Sequence, residues 1–356
     1  MKLRNDFLYI GDGSDNTVKT FDAETGRFLG SLVVLDCNCL QGPVVPGSNC
    51  LFGPRGIIFD HRNNLLVTNQ NVGQPQNGDV LNYNGQTGAF LGEFVKSNEP
   101  GAPFAPRGIV FSKQNILFVA DMGDVGVPGE VRMYDGTTGV FLGNLDHSGF
   151  TGQFHPRAVV IGPDSLLYVS VRNLPQLEGG SVLRFNPKTG QFIGVFIESN
   201  NVNDLNRPEG LVFGPDGNLY ITSFRRDGSD TDKILIFHGK TGKFLDKIDL
   251  DAVGQPRAFA QALLFGPDGK LFVPINGDGP DTGSVRRYDV HYHQKTFDVF
   301  VPPALAGGPL GMPWYLTFGN TDPATLDYMG DEEESSDQHY HHPPHPPHES
   351  SDETSS

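Results

Sequence analysis

An all-β chain folded as a six-bladed β-propeller, with four antiparallel strands per blade, is predicted by three observations. A Pro-x-Gly-apolar signal, or a worn copy of it, recurs six times at intervals of about fifty residues. Three further short apolar runs follow the copies in a constant order. Thr-Gly turns recur between the last two runs. Self-similarity at such a period marks a solenoid, a propeller or an array.

The six anchors read Pro54-Arg-Gly-Ile-Ile-Phe, Pro106-Arg-Gly-Ile-Val-Phe, Pro156-Arg-Ala-Val-Val-Ile, Pro208-Glu-Gly-Leu-Val-Phe, Ala260-Gln-Ala-Leu-Leu-Phe and Pro313-Trp-Tyr-Leu-Thr-Phe. Each opens the first strand of a blade. Second strands follow in Leu65-Leu-Val-Thr, Leu117-Phe-Val-Ala, Leu167-Tyr-Val-Ser, Leu219-Tyr-Ile-Thr and Leu271-Phe-Val-Pro. Third strands alternate apolar with polar, as in Val80-Leu-Asn-Tyr and Val131-Arg-Met-Tyr. Fourth strands follow the Thr-Gly turn, as in Gly88-Ala-Phe-Leu-Gly. Short β-branched and aromatic runs bounded by Gly, Pro, Asn and Asp read as strands. No segment sustains a 3.6-residue period, so helix is nearly absent. In turns such as Asp22-Ala-Glu-Thr-Gly26 the acid caps its own turn and the glycine takes the left-handed conformation.

The first residues enter this pattern in mid-blade. Asp6-Phe-Leu-Tyr-Ile matches a second strand, Thr17-Val-Lys-Thr-Phe a third and Gly26-Arg-Phe-Leu-Gly a fourth. The sixth anchor is a first strand without companions. Strand 313–319 is therefore expected to pair with the N-terminal strands 6–35, closing the ring and hiding an edge. Residues 1–329 make one propeller domain on this reading, and residues 330–356 a disordered acidic tail rich in His, Pro and Ser.

Charge and composition narrow the function. The net charge is −16, and residues 330–356 hold eight acids with no Lys or Arg, which leaves the ring near −8. General nucleic-acid binding is excluded, because phosphate contacts need clustered basic residues. No run of eighteen apolar residues occurs, so no membrane span is expected. Met-Lys-Leu-Arg-Asn-Asp has no apolar stretch behind it, so no signal peptide is read and a cytoplasmic monomer is expected. Cys37, Cys39 and Cys50 share one insertion. They are candidates for a disulfide, which would favour an extracellular setting, for free thiols, or for a metal site lacking a fourth ligand.

The long, varied connections 95–105, 146–155, 198–207, 250–259 and 301–312 fall on one face, around the mouth of the central channel. Varied loops on a rigid scaffold usually carry binding. The residue after each anchor should ring that mouth: Arg55, Arg107, Arg157, Glu209, Gln261 and Trp314. The strand ends beside them supply Asn69 and Asp121. Arginine suits a carboxylate or phosphate because its planar fork gives two parallel hydrogen bonds. An alternative is a rim in which the arginine stems cover apolar surface and the heads bond to loop carbonyls. Acidic loops offer Asp12 with Asp15, Asp227 with Asp230, and Asp278 with Asp281 as weak candidates for Ca²⁺, and Glu209 for another divalent cation. No cofactor is otherwise expected. No Ser/His/Asp or Cys/His catalytic set can be assembled.

The stretch Arg207-Pro-Glu-Gly-Leu-Val-Phe-Gly-Pro-Asp-Gly-Asn-Leu-Tyr-Ile-Thr222 resembles the NHL repeat, and the likeness runs over residues 5–319. The resemblance implies a six-bladed ring of the broad TolB-like and gluconolactonase/regucalcin-like group. That group includes protein-binding platforms, lactonases and lyases, and a fold alone does not choose among them. The expected function is a non-enzymatic binding platform whose loop face takes a protein, peptide, glycan or anionic ligand. The alternative is a metal-dependent lactonase-like hydrolase or a lyase in the channel. The lactonases hold their metal with a first-strand Glu plus Asn and Asp, which Glu209, Asn69 and Asp121 match in type. The arginines at equivalent positions argue against a metal there.

Overall fold

Strong local alternation and abundant turn residues leave a chain of this kind one way to bury its apolar runs: as small sheets packed face to face. The computed structural model describes residues 6–34, 47–124, 128–173, 179–290, 295–319, 321–322 and 327–328. Cys37, Cys39 and the tail 330–356 lie outside them. The chain opens with β1 (Phe7–Asp12), β2 (Thr17–Asp22) and β3 (Phe28–Val33). Blade 1 is β4 (Pro54–Phe59), β5 (Asn64–Asn69), β6 (Asp79–Asn84) and β7 (Phe90–Val95). Blade 2 is β8 (Pro106–Phe111), β9 (Ile116–Asp121), β10 (Glu130–Asp135) and β11 (Phe141–Asn144). Blade 3 is β12 (His155–Ile161), β13 (Leu167–Arg172), β14 (Gly180–Phe185) and β15 (Phe192–Glu198). Blade 4 is β16 (Pro208–Phe213), β17 (Leu219–Ser223), β18 (Lys233–Phe237) and β19 (Phe244–Asp249). Blade 5 is β20 (Leu264–Phe265), β21 (Leu271–Ile275), β22 (Ser284–Tyr288) and β23 (Phe297–Val301). Then come β24 (Pro313–Phe318) and a short hairpin of β25 (Thr321–Asp322) and β26 (Asp327–Tyr328).

The ring closes as its sequence predicts. The sixth sheet has the order β24-β1-β2-β3, with Leu8 opposite Phe318 and Ile10 opposite Leu316. Phe318 is fully buried and meets Phe272 of blade 5 edge to face at 5.2 Å. Among the described residues the one helical element is a single 3-10 turn at Ala304–Ala306, and no helix is long and apolar enough to cross a membrane.

First strands line the channel and are almost wholly buried, whereas fourth strands form the rim and alternate exposed with part-buried residues. Small residues after the arginine ring let first strands approach each other. A Cβ on Gly108 would lie 2.7 Å from Ala158 Cα of the next blade. The Thr-Gly turns dock each blade on its neighbour. Gly88 has φ +70, and a Cβ there would sit on the Leu32 carbonyl of the adjoining blade.

Blade 5 departs from the others. Its anchor was expected to start a strand at Ala260, yet β20 spans only Leu264–Phe265. In blades 1 to 4 the anchor proline pairs with the end of the second strand, as Pro208 does with Ser223. The paired position in blade 5 holds no such bridge. Pro274 stands where Thr68, Ser170 and Thr222 give hydroxyl hydrogen bonds in blades 1, 3 and 4, and it has neither a hydroxyl nor an N–H to offer.

Removing the Phe318 ring should open the clasp. Phe318→Ala is expected to cost about 3–5 kcal/mol, measured by urea denaturation. Gly88→Ala should destabilise more than Gly217→Ala, because Gly217 shares the positive φ but has open space around it.

Candidate functional site

Five of the six residues that follow the anchors lie where strand register slips: between Pro54 and Ile57, Pro106 and Ile109, Pro156 and Ala158, Pro208 and Leu211, and opposite Gly11 and Asp12. A bulge re-aims the side chain of its extra residue. Here it gathers Arg55, Arg107, Arg157 and Glu209 into one cluster. Buried hydroxyls on the second strands hold two of these backbones, Thr68 donating to the Arg107 carbonyl at 2.8 Å and Ser170 to the Glu209 carbonyl at 2.5 Å.

Glu209 is the centre, with a side chain only 1% exposed. Its Oε1 is ion-paired with Arg172 and lies 3.5 Å from Arg157 Nε, while Oε2 is 3.9 Å from Arg107 Nη1. The carbonyl oxygen of the Gln261 side chain accepts from Arg107 Nη1 at 2.7 Å and from Arg55 Nη1 at 3.2 Å. Arg55 also donates to Gln70 Oε1 at 2.9 Å and stacks on Trp314, 3.1 Å from the ring centroid. The Met122 sulfur receives Arg107 Nε at 3.3 Å and Arg157 Nη1 at 2.8 Å. Below this layer the channel is apolar, walled by residues such as Ile57, Val110, Val160 and Leu211, with Tyr315 beside them.

Electrostatics follow from burial. Desolvation and the adjacent Arg107 hold the Arg55 guanidinium well below its ordinary pKa, and desolvation with Arg172 and Arg107 brings Arg157 down to about 9. Burial lowers Arg172 as well, although Glu209 opposes it. Burial alone would raise Glu209, but Arg172, Arg157, Arg107 and Arg55 outweigh it and hold the carboxyl below its ordinary value. Tyr315 is pushed up to about 12 by burial, with the Glu209 charge adding to it.

A cavity of about 560 Å³ opens beside the cluster. Arg107, Arg172 and Glu209 form one wall, Phe224 and Phe259 a second, and the loop from Asn276 to Pro280 a third. It lies against blade 5, whose first strand β20 is shortened. Arg257 stacks on Phe259 at 3.7 Å and is held by Asp232 through Nη2 at 2.6 Å and Nε at 3.2 Å.

The structure brings together Arg55, Arg107, Arg157, Glu209, Gln261 and Trp314, and it parts them from Asn69 and Asp121. Asp121 accepts from the Phe104 and Ala105 N–H groups, each at 2.8 Å, and from Arg132 Nε. Asn69 accepts from Phe52 N–H at 2.7 Å and donates to the Cys50 carbonyl. Both brace the loop that enters the first strand of their own blade. Arg172 was not among the strand-end residues expected at the mouth: Asn69 and Asp121 stand one position earlier in their blades than Arg172 does in its own. Gln70, Met122, Phe224 and Asn276 occupy the same position in other blades. Alternate strand residues face opposite ways, so that one-residue offset exchanges the braces for the channel lining.

Two of the three acidic loops already hold a lysine. Lys19 Nζ lies 2.7 Å from both Asp12 and Asp15, and Asp12 also accepts from the Gly311 and Met312 N–H groups. Lys233 Nζ bridges Asp230 and Asp204. Asp227 accepts from Ser229, Asp278 from the Arg257 N–H, and Asp281 turns its loop at φ +61. No three His, Cys, Asp or Glu side chains converge as metal ligands among the described residues. Cys50 is disulfide-bonded.

No protein-family model matches the chain, and no curated protein matches it. Solved structures do. Hydrazine synthase from Kuenenia stuttgartiensis is similar with a TM-score of 0.54 at 17% identity, over 79% of this chain and 73% of that one. Virginiamycin B lyase from Staphylococcus aureus gives 0.49 at 12% identity, over 83% of each chain. The likeness is one of fold.

Two measurements check this account. Asp121→Ala should lower stability by about 1–3 kcal/mol through its orphaned loop N–H groups, while leaving ligand affinity at the cavity unchanged. Glu209 has a lowered pKa in the fold, so its contribution is present above the unfolded carboxylate value of about 4.3 and is lost as pH falls through the folded value. The stability gap between wild type and Glu209→Gln, followed by urea denaturation, should therefore be widest near neutrality and shrink in acid. A gap independent of pH would contradict the pairing.

Proposed function

We propose that the protein is a binding propeller that holds an anionic ligand in the cavity at the mouth of its channel. One observation carries this reading: three guanidinium groups, the buried Arg157 and the part-buried Arg107 and Arg172, share the carboxylate of Glu209, and the buried Arg55 stands beside them with neutral partners only. Burying a cation without a counter-charge is costly, and removing water strengthens whatever attraction an incoming anion finds. Arg107 and Arg172 both face the cavity. Arg107 has a long contact to Glu209 and otherwise neutral partners, the Gln261 oxygen and the Met122 sulfur, so its charge is the least fully answered of the three that face Glu209. The metal-dependent alternative centres on Glu209. A divalent ion there would sit among three guanidinium groups that repel it, whereas an anion is drawn to them.

Arg107→Ala tests the proposal. The variant should fold as the wild type does, because its ion pair is the loosest of the three. Binding of citrate and inorganic phosphate, followed by Trp314 fluorescence and calorimetry, should weaken by about tenfold or more, as expected for loss of a hydrogen bond between charged groups. Equal affinity in both proteins would remove the site from this cavity.

A further inference from the structure

Resting on the anion reading of the cavity, we infer that the ligand is the C-terminal end of a peptide whose last residue bears an apolar side chain. Three walls of different chemistry point to it. The first offers donors: Arg107 and Arg172 line the cavity, and Arg172 Nε has no hydrogen-bond partner. These arginines already hold a carboxylate, that of Glu209, and their planar forks match a second one in shape. The second wall offers acceptors. Asn276 Oδ1 receives no hydrogen bond from the protein, and Asp278 keeps one oxygen beyond the one that binds the Arg257 N–H. The third is apolar, made by Phe224, Phe259, Pro280 and Met312.

An inorganic anion uses the first wall alone. It leaves the Asn276 oxygen unmet and the apolar surface wet, which is unfavourable on both counts. An apolar acid without N–H groups uses the first and third. A terminal amino-acid residue presents a carboxylate, an amide N–H donor and a side chain from adjacent atoms, and so serves all three walls together. Capture of a C-terminal carboxylate is a recurring mode of peptide recognition. The cavity of about 560 Å³ lies in the range that encloses a ligand larger than one amino acid. Asp278 and Pro280 are exposed, so the cavity opens beside them and leaves the rest of a peptide a way out.

The test uses the whole protein and an N-acetylated tripeptide ending in phenylalanine, prepared as the free acid and as the C-terminal amide. Calorimetry should show saturable binding of the acid and at least tenfold weaker binding of the amide. Arg107→Ala should erase that difference. Asn276→Ala should weaken the acid peptide several-fold while leaving inorganic phosphate binding as in the wild type. Should phosphate bind in an Arg107-dependent way while acid and amide bind alike or not at all, the peptide inference falls and the anion reading stands. Should neither phosphate nor peptide bind, both fall.

Discussion

Everything in this molecule depends on the pairing of β24 with β1. Those strands come from opposite ends of the ring, and five residue pairs between them complete the sixth blade. Joining chain ends so far apart costs roughly 5 kcal/mol of loop entropy by the logarithmic estimate. Burial of Tyr315, Leu316 and Phe318, at about 1.5–3 kcal/mol each, offsets it. The same strand delivers Trp314 under Arg55 and Tyr315 into the channel. Gly13 belongs to the arrangement too, because a Cβ there would lie 2.7 Å from the Trp314 ring. Closure and site are thus one construction: the clasp supplies the floor against which the first of the buried arginines is held.

Periodicity made the architecture legible. Six anchors and recurrent Thr-Gly turns are short-range signals repeated many times, so errors in any one copy are outvoted. The site was legible in part. Its inner ring follows from the position after each anchor, which bulges fix and sequence spacing locates. The neighbouring layer was misplaced by one residue, since nothing in the sequence shows where a bulge shifts the pleat. Asn69, Asp121 and Asp12 are polar and stand beside the mouth in sequence, yet they hold the backbone N–H groups that precede the anchor of their own blade. Arg172, Met122 and Phe224 carry no repeat signal at all, because channel-facing loop residues differ from blade to blade.

The acidic loops and the arginine cluster obey one rule. A buried charge in this protein is answered by an opposite charge from the chain itself wherever one is within reach. Lys19 and Lys233 occupy the spaces between carboxylates that spacing alone would offer to Ca²⁺. Arg257 is answered by Asp232, and Arg132 by Asp121. In the channel layer this balance is left open. Glu209 is drawn on by Arg107, Arg157 and Arg172, and Arg55 has only amide oxygens and the face of an indole.

The imbalance coincides with departures from the anchor pattern in two adjacent blades. Blade 4 replaces the anchor arginine with Glu209, and blade 5 replaces the anchor proline with Ala260 and the next residue with Gln261. Blade 5, which lacks that proline, has the short β20, and the cavity lies beside it. A repeat that served structure alone would gain stability by restoring the consensus at these positions, since each restored contact adds to inter-blade packing. Local departures that cost stability and converge on one cavity are what a functional site looks like in a protein built from copies. The carboxylate of Glu209 has a particular part in this. It stabilises the guanidinium groups against one another, yet its single negative charge does not match the four positive ones around it, and that excess is the basis of the proposed anion site.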